Sequence, residues 1–139
     1  MVVKQLSVFL ENRAGQLCEV LTLLAEKGIN IRARNIAETT DYGVLRLIVD
    51  TPEPVAELLR QQGILVQLSP VVAAAVPDRP GGLHGMLDLL RRENVDISYL
   101  YSVFGHGDNA LMLFRVDDPA GAEEILRRGG IETDVLRKE

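Results

Sequence analysis

The feature that most constrains the fold of this chain is an internal repeat. When the sequence is displaced against itself by about 66 residues, NRAGQL (12–17) aligns with DRPGGL (78–83). Two later pairs of segments align in the same order: GINI (28–31) with NVDI (94–97), and VDTP (49–52) with VDDP (116–119). So many matches in one order indicate a tandem duplication. Whatever fold one half adopts, the other half should adopt as well.

Each half begins with the same local pattern. An apolar run, QLSVFL (5–10) or VVAAAV (71–76), precedes the repeated turn. Apolar residues then recur at positions i, i+3, i+4 and i+7, starting from Leu17 in the first half and from Leu83 in the second. The runs are typical of strands, and the spacing predicts amphipathic helices with one buried stripe. Each half therefore opens with a strand, a tight turn and a helix.

The rest of each half also repeats. Two strands joined by a polar turn follow the first helix, and a second helix then begins at Thr51–Pro52 or Asp118–Pro119. Proline suits the first helical position, and Thr or Asp suits the cap before it. A short apolar segment, ILVQLS (64–69) or IETDVL (131–136), is predicted to form the closing strand. The order is β-α-β-β-α-β in both halves.

This order predicts an α+β fold of two ferredoxin-like domains, each an antiparallel four-stranded sheet with two helices on one face. The expected domains are residues 1–69 and 70–139, joined near Ser69 without a flexible linker. Units of this size bury only about 60% of the surface that their unfolded chains expose. The open sheet face and the edge strands need cover. We therefore expect the halves to pack on each other and the whole to form at least a homodimer.

Charge and composition exclude several classes of protein. The net charge is −5 at pH 7, whereas nucleic-acid-binding domains present basic surfaces. RNA-recognition domains share the β-α-β-β-α-β order but stack bases on aromatic side chains, and the strands at 44–50 and 110–117 lack that aromatic–glycine pattern. No apolar run approaches the roughly 20 residues that cross a bilayer. Residues 1–10 are too short for a signal peptide, so we expect a cytoplasmic protein that binds neither nucleic acid nor membrane.

No set of residues predicts catalysis or a metal site. Cys18 is the only cysteine, and its place in the first helix without a neighbouring histidine is typical of a buried structural thiol. His84 and His106 lie in different elements, without Cys, Asp or Glu at ligand spacing. Tyr99 and Tyr101 share one strand face, which suits an interface, a pocket wall or simple packing. We therefore expect no enzymatic activity, no metal and no cofactor.

The repeated turn is the strongest local indication of a binding site. Helix N-termini present unpaired N–H groups and partial positive charge, so they attract carboxylates and phosphates. Gly15, and Gly81 with Gly82, allow a ligand to approach the backbone closely. In the alternative interpretation, Asn12 and Asp78 only cap their helices and the glycines only shape the turn. From the turn alone the two interpretations are about equally well supported.

The pattern resembles an ACT domain, the small-molecule regulatory module attached to many amino-acid-metabolising enzymes. The resemblance rests on ENRAGQL (11–17) and EKGINI (26–31) in the first half, and on PDRPGGL (77–83) and ENVDI (93–97) in the second. It covers essentially the whole chain, which makes the chain similar to the stand-alone tandem ACT proteins of bacteria and archaea and leaves no room for a catalytic domain.

The resemblance implies a set of ligand-binding positions in each half. In the ACT family, amino acids bind at interfaces between two domains, through the first strand–helix loop and polar residues at its start and at the second strand. The implied positions are Asn12, Arg13, Ala14, Gly15, Gln16, Leu17, Asn30 and Ile31 in the first half, and Asp78, Arg79, Pro80, Gly81, Gly82, Leu83, Asp96 and Ile97 in the second. Ala14 departs from the proline that is commoner in the family.

The function that this resemblance implies is binding of an amino acid by a regulatory protein without catalysis of its own. Ligand at an interface between domains tightens that interface and thereby shifts an oligomer or partner equilibrium. The alternative is a regulatory subunit of a separate amino-acid biosynthetic enzyme, as in the small subunits of acetohydroxyacid synthase, which also carry an ACT domain.

The two turns differ in charge. Asn12 and Asn30 can each donate and accept hydrogen bonds, whereas ionised Asp78 and Asp96 only accept and would repel a nearby carboxylate. We therefore hypothesise that the first turn, residues 12–17, binds the ligand carboxylate. The second turn, residues 78–83, would be more structural or would face the ligand's ammonium group.

Overall fold

The computed structural model describes residues 1–11, 15–38 and 42–136, apart from the side chains of residues 38 and 104–106. Within them the elements are β1 (Val2–Glu11), α1 (Gln16–Glu26), β2 (Ile31–Glu38), β3 (Tyr42–Val49), α2 (Pro52–Gln61), β4 (Leu65–Pro77), α3 (Gly82–Arg92), β5 (Tyr99–His106), β6 (Asn109–Arg115) and α4 (Pro119–Arg128). None of the helices in these residues has the length and apolar character needed to cross a membrane.

The chain divides into two compact units. The N-terminal unit is Lys4–Ser69, and the C-terminal unit consists of Met1–Val3 together with Pro70–Glu139. Strand β4 begins in the first unit and ends in the second. The sequence predicts two separate strands there, at 64–69 and 71–76, and the structure has one. Only Pro70 lies between the two apolar runs, and its fixed φ is compatible with an extended chain, so the strand continues through it.

The sheet of the N-terminal unit has the strand order β2-β3-β1-β4. Strands β1 and β3 are antiparallel, with Leu6 opposite Leu47. Strand β2 is antiparallel to β3, with Arg34 opposite Leu47 and a register shift between Ile31 and Ala33. The central strand β1 therefore runs from the middle of the sheet directly to the first turn, while β2 lies at the edge.

The core of this unit combines one face of the sheet with one face of each helix. The helical residues recur at i, i+3 and i+4, as the sequence predicts. Leu17 and Leu21 of α1 are partly buried against this core. Its buried members are Leu6, Val8, Leu10, Val20, Leu24, Leu45, Leu47, Val49, Val55, Ala56, Leu59 and Val66. This packing holds α1 against the sheet, with its N-terminus just beyond the end of β1.

The C-terminal unit repeats this arrangement. Its strand order is β4-β6-β5, with Ala74 opposite Met112 and Leu100 opposite Phe114, all antiparallel. Its core is formed by Val72, Ala74, Val76, Met86, Leu90, Met112, Phe114, Val116, Ala122 and Leu126. Residues 71–76 are buried without alternation. The sheet face opposite the helices is therefore also buried along β4.

The strand predicted at 131–136 is not formed. Glu132 makes only an isolated antiparallel bridge, in which its carbonyl accepts from the N–H of Ala75 at 2.8 Å. Two residues earlier on the same edge of β4, the N–H of Ala73 donates to Met1 O at 2.7 Å and Ala73 O accepts from the Met1 ammonium at 2.9 Å. Because Met1 occupies the backbone groups of Ala73, the predicted strand cannot extend along this edge.

The second helix of each unit begins with proline, as the sequence predicts, but the caps differ. Pro52 and Pro119 lie in the first helical turns. The side chain of Asp118 accepts a hydrogen bond from Gly121 N at 3.1 Å, which confirms its predicted role as a cap. Thr51 holds the same position before α2 but makes no such bond.

Candidate functional site

The first turn places the N-terminus of α1 at the end of β1. Gly15 is the N-cap, with φ of 89° in the left-handed region that favours glycine. A glycine N-cap has no side chain that could accept a hydrogen bond from the first helical turn. The start of α1 therefore lacks side-chain capping by its own N-cap residue. The predicted site residues Asn12, Arg13 and Ala14 lie outside the described residues.

An open groove of about 800 Å³ begins at this turn. It extends along the outer face of α1 and reaches the segment that follows α2. This volume lies within the usual range for small-molecule sites. The residues that line it are Glu11, Gly15, Gln16, Cys18, Glu19, Thr22, Leu23, Glu26, Gln62, Gly63 and Ile64.

Gln16 is the first residue of α1 and lines this groove. It is only 8% exposed, and its Oε1 has no hydrogen-bond partner among the described residues. Buried carbonyl oxygens in native proteins are nearly always paired. Gln16 Oε1 is one of two such enclosed, unpaired side-chain atoms among the described residues.

The second turn is held together by hydrogen bonds within its own backbone. Gly81 is the N-cap of α3, with φ of 88°, so Asp78 is not the cap residue. The N–H of Arg79 donates to Pro77 O at 2.9 Å, and the N–H of Gly82 donates to Arg79 O at 3.0 Å. A Cβ at Gly82 would lie 2.0 Å from the Pro77 carbonyl oxygen. The space that Gln16 occupies in the first turn thus has no counterpart in the second.

Two smaller cavities lie in the C-terminal unit, and they separate the predicted site residues of this half. One, of about 550 Å³, is lined by Asp78 and Arg79 together with the β5–β6 turn, whose Asp108 O accepts from Asp78 N at 2.9 Å. The other, of about 320 Å³, is lined by Asp96 and Ile97 at the end of α3. Asp78 and Asp96 therefore line different cavities.

The remaining predicted positions serve packing or face solvent. Leu17 and Ile31 are partly buried against the core of the N-terminal unit, and Leu83 and Ile97 against the core of the C-terminal unit. Asn30 is exposed and does not line the groove at the first turn. Pro80 is exposed as well. Of the described positions in the first half, the structure brings only Gly15 and Gln16 into the groove.

Three acidic residues that line the groove, Glu11, Glu19 and Glu26, are not among the positions predicted from the sequence. Glu19 and Glu26 are seven residues apart, so they lie on one face of α1. That spacing, together with Gly15 four residues before Glu19, is the sequence pattern that could have identified the groove wall. The contribution of the segment after α2 could not have been identified, because it depends on how the two helices pack.

Among the other residues that the sequence singled out, Cys18 lines the groove at the first turn. Cys18 is exposed rather than buried, with its Sγ 3.8 Å from Thr22 Oγ1, because the buried stripe of α1 passes through Val20 and Leu24 instead. His84 is exposed, and the side chain of His106 lies outside the described residues. Within the described part of the chain, no three His, Cys, Asp or Glu residues group so as to hold a metal ion.

The two tyrosines of β5 differ in burial. Tyr101 is buried and Tyr99 is half-buried, opposite Leu113 and Arg115 of β6 respectively. The shared strand face that the sequence predicts is therefore present. Neither tyrosine lines any of the three cavities described above.

Comparisons with known proteins agree with this architecture. The chain is similar to protein BT0572 from Bacteroides thetaiotaomicron, with a TM-score of 0.88 and 38% identity over 95% of this chain and 91% of that one. It is also similar to the ligand-free regulatory subunit of aspartate kinase from Thermus thermophilus, with a TM-score of 0.66 and 14% identity over 93% of this chain and 97% of that one. The regulatory subunit of aspartate kinase from Thermus flavus is similar as well, with a TM-score of 0.64 and 15% identity over 93% of this chain and 90% of that one.

At such identities the two Thermus structures show the fold alone. No curated protein matches this sequence. The family model of the ACT domain pair, however, matches residues 1–133, which is nearly the whole chain. The resemblance seen in the repeated turns is thereby confirmed, and the chain belongs to the ACT domain family as a tandem ACT domain protein.

Proposed function

We propose that this protein is a cytoplasmic regulatory protein that binds a free amino acid and has no catalytic activity of its own. Its two ACT domains would be residues 1–69 and 70–139. The observation that carries the proposal is the groove at the first turn, which is lined by Gly15 and Gln16 where α1 starts without a side-chain cap from Gly15. The N–H groups of a helix start can bind a carboxylate, and a carboxamide oxygen can accept from an ammonium group.

The first turn is the proposed principal site, and the second is proposed to be structural. The second turn is closed by hydrogen bonds from Arg79 and Gly82, and the contact of Gly82 with Pro77 leaves no room for a side chain like that of Gln16. Asn12 would supplement Gln16 at the first turn, since a carboxamide can both donate and accept.

The experiment that tests the ligand class is a thermal-unfolding screen with the twenty amino acids. A ligand at about 100 times its dissociation constant stabilises the folded protein by about 2.7 kcal/mol. We expect at least one amino acid to raise the midpoint clearly. A flat result across all twenty would remove the proposed function.

Once a binding amino acid is found, two variants compare the turns by calorimetry. Asn12→Ala removes a hydrogen-bonding group at the proposed site and should weaken binding by about 1.5–3 kcal/mol. Asp78→Ala alters the second turn and should cost less. If Asp78→Ala abolished binding while Asn12→Ala left it intact, the two turns would have the opposite roles.

A second candidate function is that of a regulatory subunit of a separate biosynthetic enzyme, such as an acetohydroxyacid synthase or another enzyme of amino-acid synthesis. It is favoured by the similarity to aspartate kinase regulatory subunits over nearly the full length of both chains. Co-purification with a large catalytic subunit from the native cells would support it. A chain that purifies alone and responds to its ligand alone would support the first candidate.

We further propose that the protein forms a homodimer through an edge strand. Strand β2 ends the sheet of the N-terminal unit, and Ile36 on it is 48% exposed. Exposed edges with apolar side chains tend to pair with another chain. The opposite sheet face is a weaker reason, because Gln5, Ala33 and Ile48 on it are already buried. Light scattering over a dilution series should give the mass of a dimer, and a monomer mass throughout would contradict the proposal.

A further inference from the structure

The ammonium group of Met1 is held by three acceptors from three different parts of the C-terminal unit. Its N–H groups donate to the backbone oxygen of Ala73 on β4 at 2.9 Å and to the backbone oxygen of Thr133 in the segment that follows α4. The third acceptor is the carboxylate of Glu123 on α4, whose Oε2 lies 2.9 Å from the Met1 nitrogen. Because an ammonium group has three N–H donors, each of them has an acceptor.

This ammonium group is also partly removed from water. The side chains of Met1 and Glu123 are only 29% and 18% exposed, and Thr133 is buried. Partly buried ion pairs are screened less than those on the surface. Loss of one partner leaves polar groups behind without a hydrogen bond, which costs more than the bond itself contributes. The contacts of Met1 therefore stabilise β4, α4 and the segment that follows α4 against one another.

The chemistry of the Met1 nitrogen follows from the same contacts. Burial lowers the pKa of this amino group, although the hydrogen bond to Glu123 and the charge of Glu123 oppose the shift. A lowered pKa increases the fraction of neutral amine, which is the nucleophilic form. The hydrogen bond from Met1 in turn lowers the pKa of Glu123, so this carboxylate stays charged beside the nitrogen. The group is thus both a structural cation and an amine that can react with an acyl donor.

We propose that the α-amino group of Met1 is a modification site, at which acylation by an acyl thioester releases Met1 from β4, α4 and the segment that follows α4. In this step the carbonyl carbon of the thioester forms a bond to the Met1 nitrogen, and its bond to sulfur breaks. The ammonium group loses two protons, of which one goes to the departing thiolate and one to water. The product is an uncharged amide with one N–H, so at most one of the three acceptors keeps its donor.

The test compares the intact chain with its N-terminally acetylated form, made with an acetyl thioester and an N-terminal acetyltransferase and verified by mass spectrometry. Hydrogen exchange followed by NMR reports on the amide of Ala73, which donates to Met1 O at 2.7 Å. We expect acetylation to lower the protection of this amide at least about tenfold, the equivalent of one hydrogen bond to a charged group. The amide of Ser98, which donates to Arg115 O, is the internal control and should stay unchanged.

Two variants on α4 show whether the effect depends on the ion pair. Glu123 pairs with Met1 and Arg127, whereas the neighbouring Glu124 pairs with Arg127 and Arg128. Acetylation should lower the midpoint of thermal unfolding clearly less in Glu123→Gln than in the unchanged chain, because the anionic partner of the ammonium group is already gone. Glu124→Gln is the matched control, in which acetylation should act as it does in the unchanged chain.

Two results would overturn the proposal. One is unchanged protection of the Ala73 amide in the acetylated chain, and the other is an equal effect of acetylation in Glu123→Gln and Glu124→Gln. If Glu123→Gln failed to fold, the exchange of the Ala73 amide would still decide, since that comparison needs no substitution. The inference does not depend on the proposed function, because Met1 and its three acceptors are not among the residues that line the groove at the first turn.

Discussion

At the scale of single residues, the two turns differ because one position in the repeat holds different side chains. Gln16 and Gly82 are equivalent in the duplicated sequence and each begins a helix. Gln16 is buried and lines a groove, whereas the backbone of Gly82 lies against the Pro77 carbonyl. The first turn thus has space for a side chain at this position, and the second has none.

This close contact predicts the effect of adding one methyl group. Gly82→Ala places a Cβ 2.0 Å from a backbone oxygen that cannot move independently, so we expect a loss of about 1–3 kcal/mol in the free energy of unfolding. Gly85→Ala in the same helix is the control. Its Cβ meets nothing within 4 Å, and replacing a helical glycine by alanine should stabilise by about 0.5–1 kcal/mol. Urea unfolding measures both, and equal effects would contradict the argument.

At the scale of elements, each second helix starts with proline but only one start has a side-chain cap. Asp118 accepts from Gly121 N, and a Cβ at Gly121 would lie 2.2 Å from the Asp118 carboxylate. The glycine thus makes room for the cap. Thr51, the equivalent residue before α2, makes no side-chain hydrogen bond to its helix. The two repeats therefore share this helix but differ in whether a side chain caps its N-terminus.

Substitution of these two cap residues should therefore have unequal effects. Asp118→Ala removes the acceptor for Gly121 N and should cost about 0.5–2 kcal/mol of stability. Thr51→Ala removes no such bond and should cost clearly less. Denaturant unfolding of the two variants gives the comparison, and a larger loss for Thr51→Ala would show that the cap geometry is misassigned.

On helix α3, Asp88 forms ion pairs with two arginines, and their contribution to stability should depend on pH. Asp88 pairs with Arg91 at 2.6 Å and with Arg92 at 2.7 Å. The hydrogen bond from Arg91, more than the charge of Arg92, holds the pKa of Asp88 below its ordinary value. A carboxyl whose pKa is lowered by folding stabilises the protein above its unfolded-state pKa, and this contribution is lost as the pH falls through the folded-state pKa.

The measurement is an NMR titration of the Asp88 carboxyl carbon. Arg91→Ala should raise the pKa of Asp88 towards the ordinary value, and Arg92→Ala should raise it less. Both arginines are well exposed, so the fold should be unchanged in either variant. A pKa of Asp88 that stayed the same in Arg91→Ala would assign the shift to another cause.

At the scale of the whole molecule, the beginning of the chain completes the C-terminal unit. Met1 exchanges two backbone hydrogen bonds with Ala73, 72 residues away, and its ammonium group forms an ion pair with Glu123 at 2.9 Å. The first residues of the first repeat are therefore a structural part of the second. Such a long-range contact explains why the two repeats do not end in identical strands.

Deletion of residues 1–3 should weaken the edge of β4 near Ala73 and Thr133, whose carbonyl oxygens both accept from the Met1 ammonium group. The amide of Ala73 would lose its acceptor on Met1, a bond worth about 1 kcal/mol, and should exchange with solvent faster. The amide of Ser98, which donates to Arg115 O on β6, is the internal control and should stay protected. Hydrogen exchange followed by NMR distinguishes the two amides. Unchanged protection of Ala73 would show that its bond to Met1 is not needed.

The sequence by itself determined the duplication, the family, and the order of the helices and strands apart from the closing strand of each half. These features depend on residues close to one another along the chain. The 3.6-residue spacing of Val20 and Leu24 places both in the core wherever α1 packs, and prolines at 52 and 119 allow helices to start there. Such patterns can be recognised in the sequence because the residues of each helix or strand alone determine which of its faces is apolar.

Only the tertiary structure decided which residues share a cavity and where the strands end. Asp78 and Asp96 form the polar pair of one site in the family pattern, yet they line separate cavities. Strand β4 runs through the expected domain boundary, and the predicted strand at 131–136 is reduced to one bridge. The physical reason is that backbone hydrogen bonds and cavity walls join residues far apart in sequence. The backbone groups of Ala73 could pair with Met1 or with the chain after α4, and no pattern of neighbouring residues predicts which of the two segments binds there.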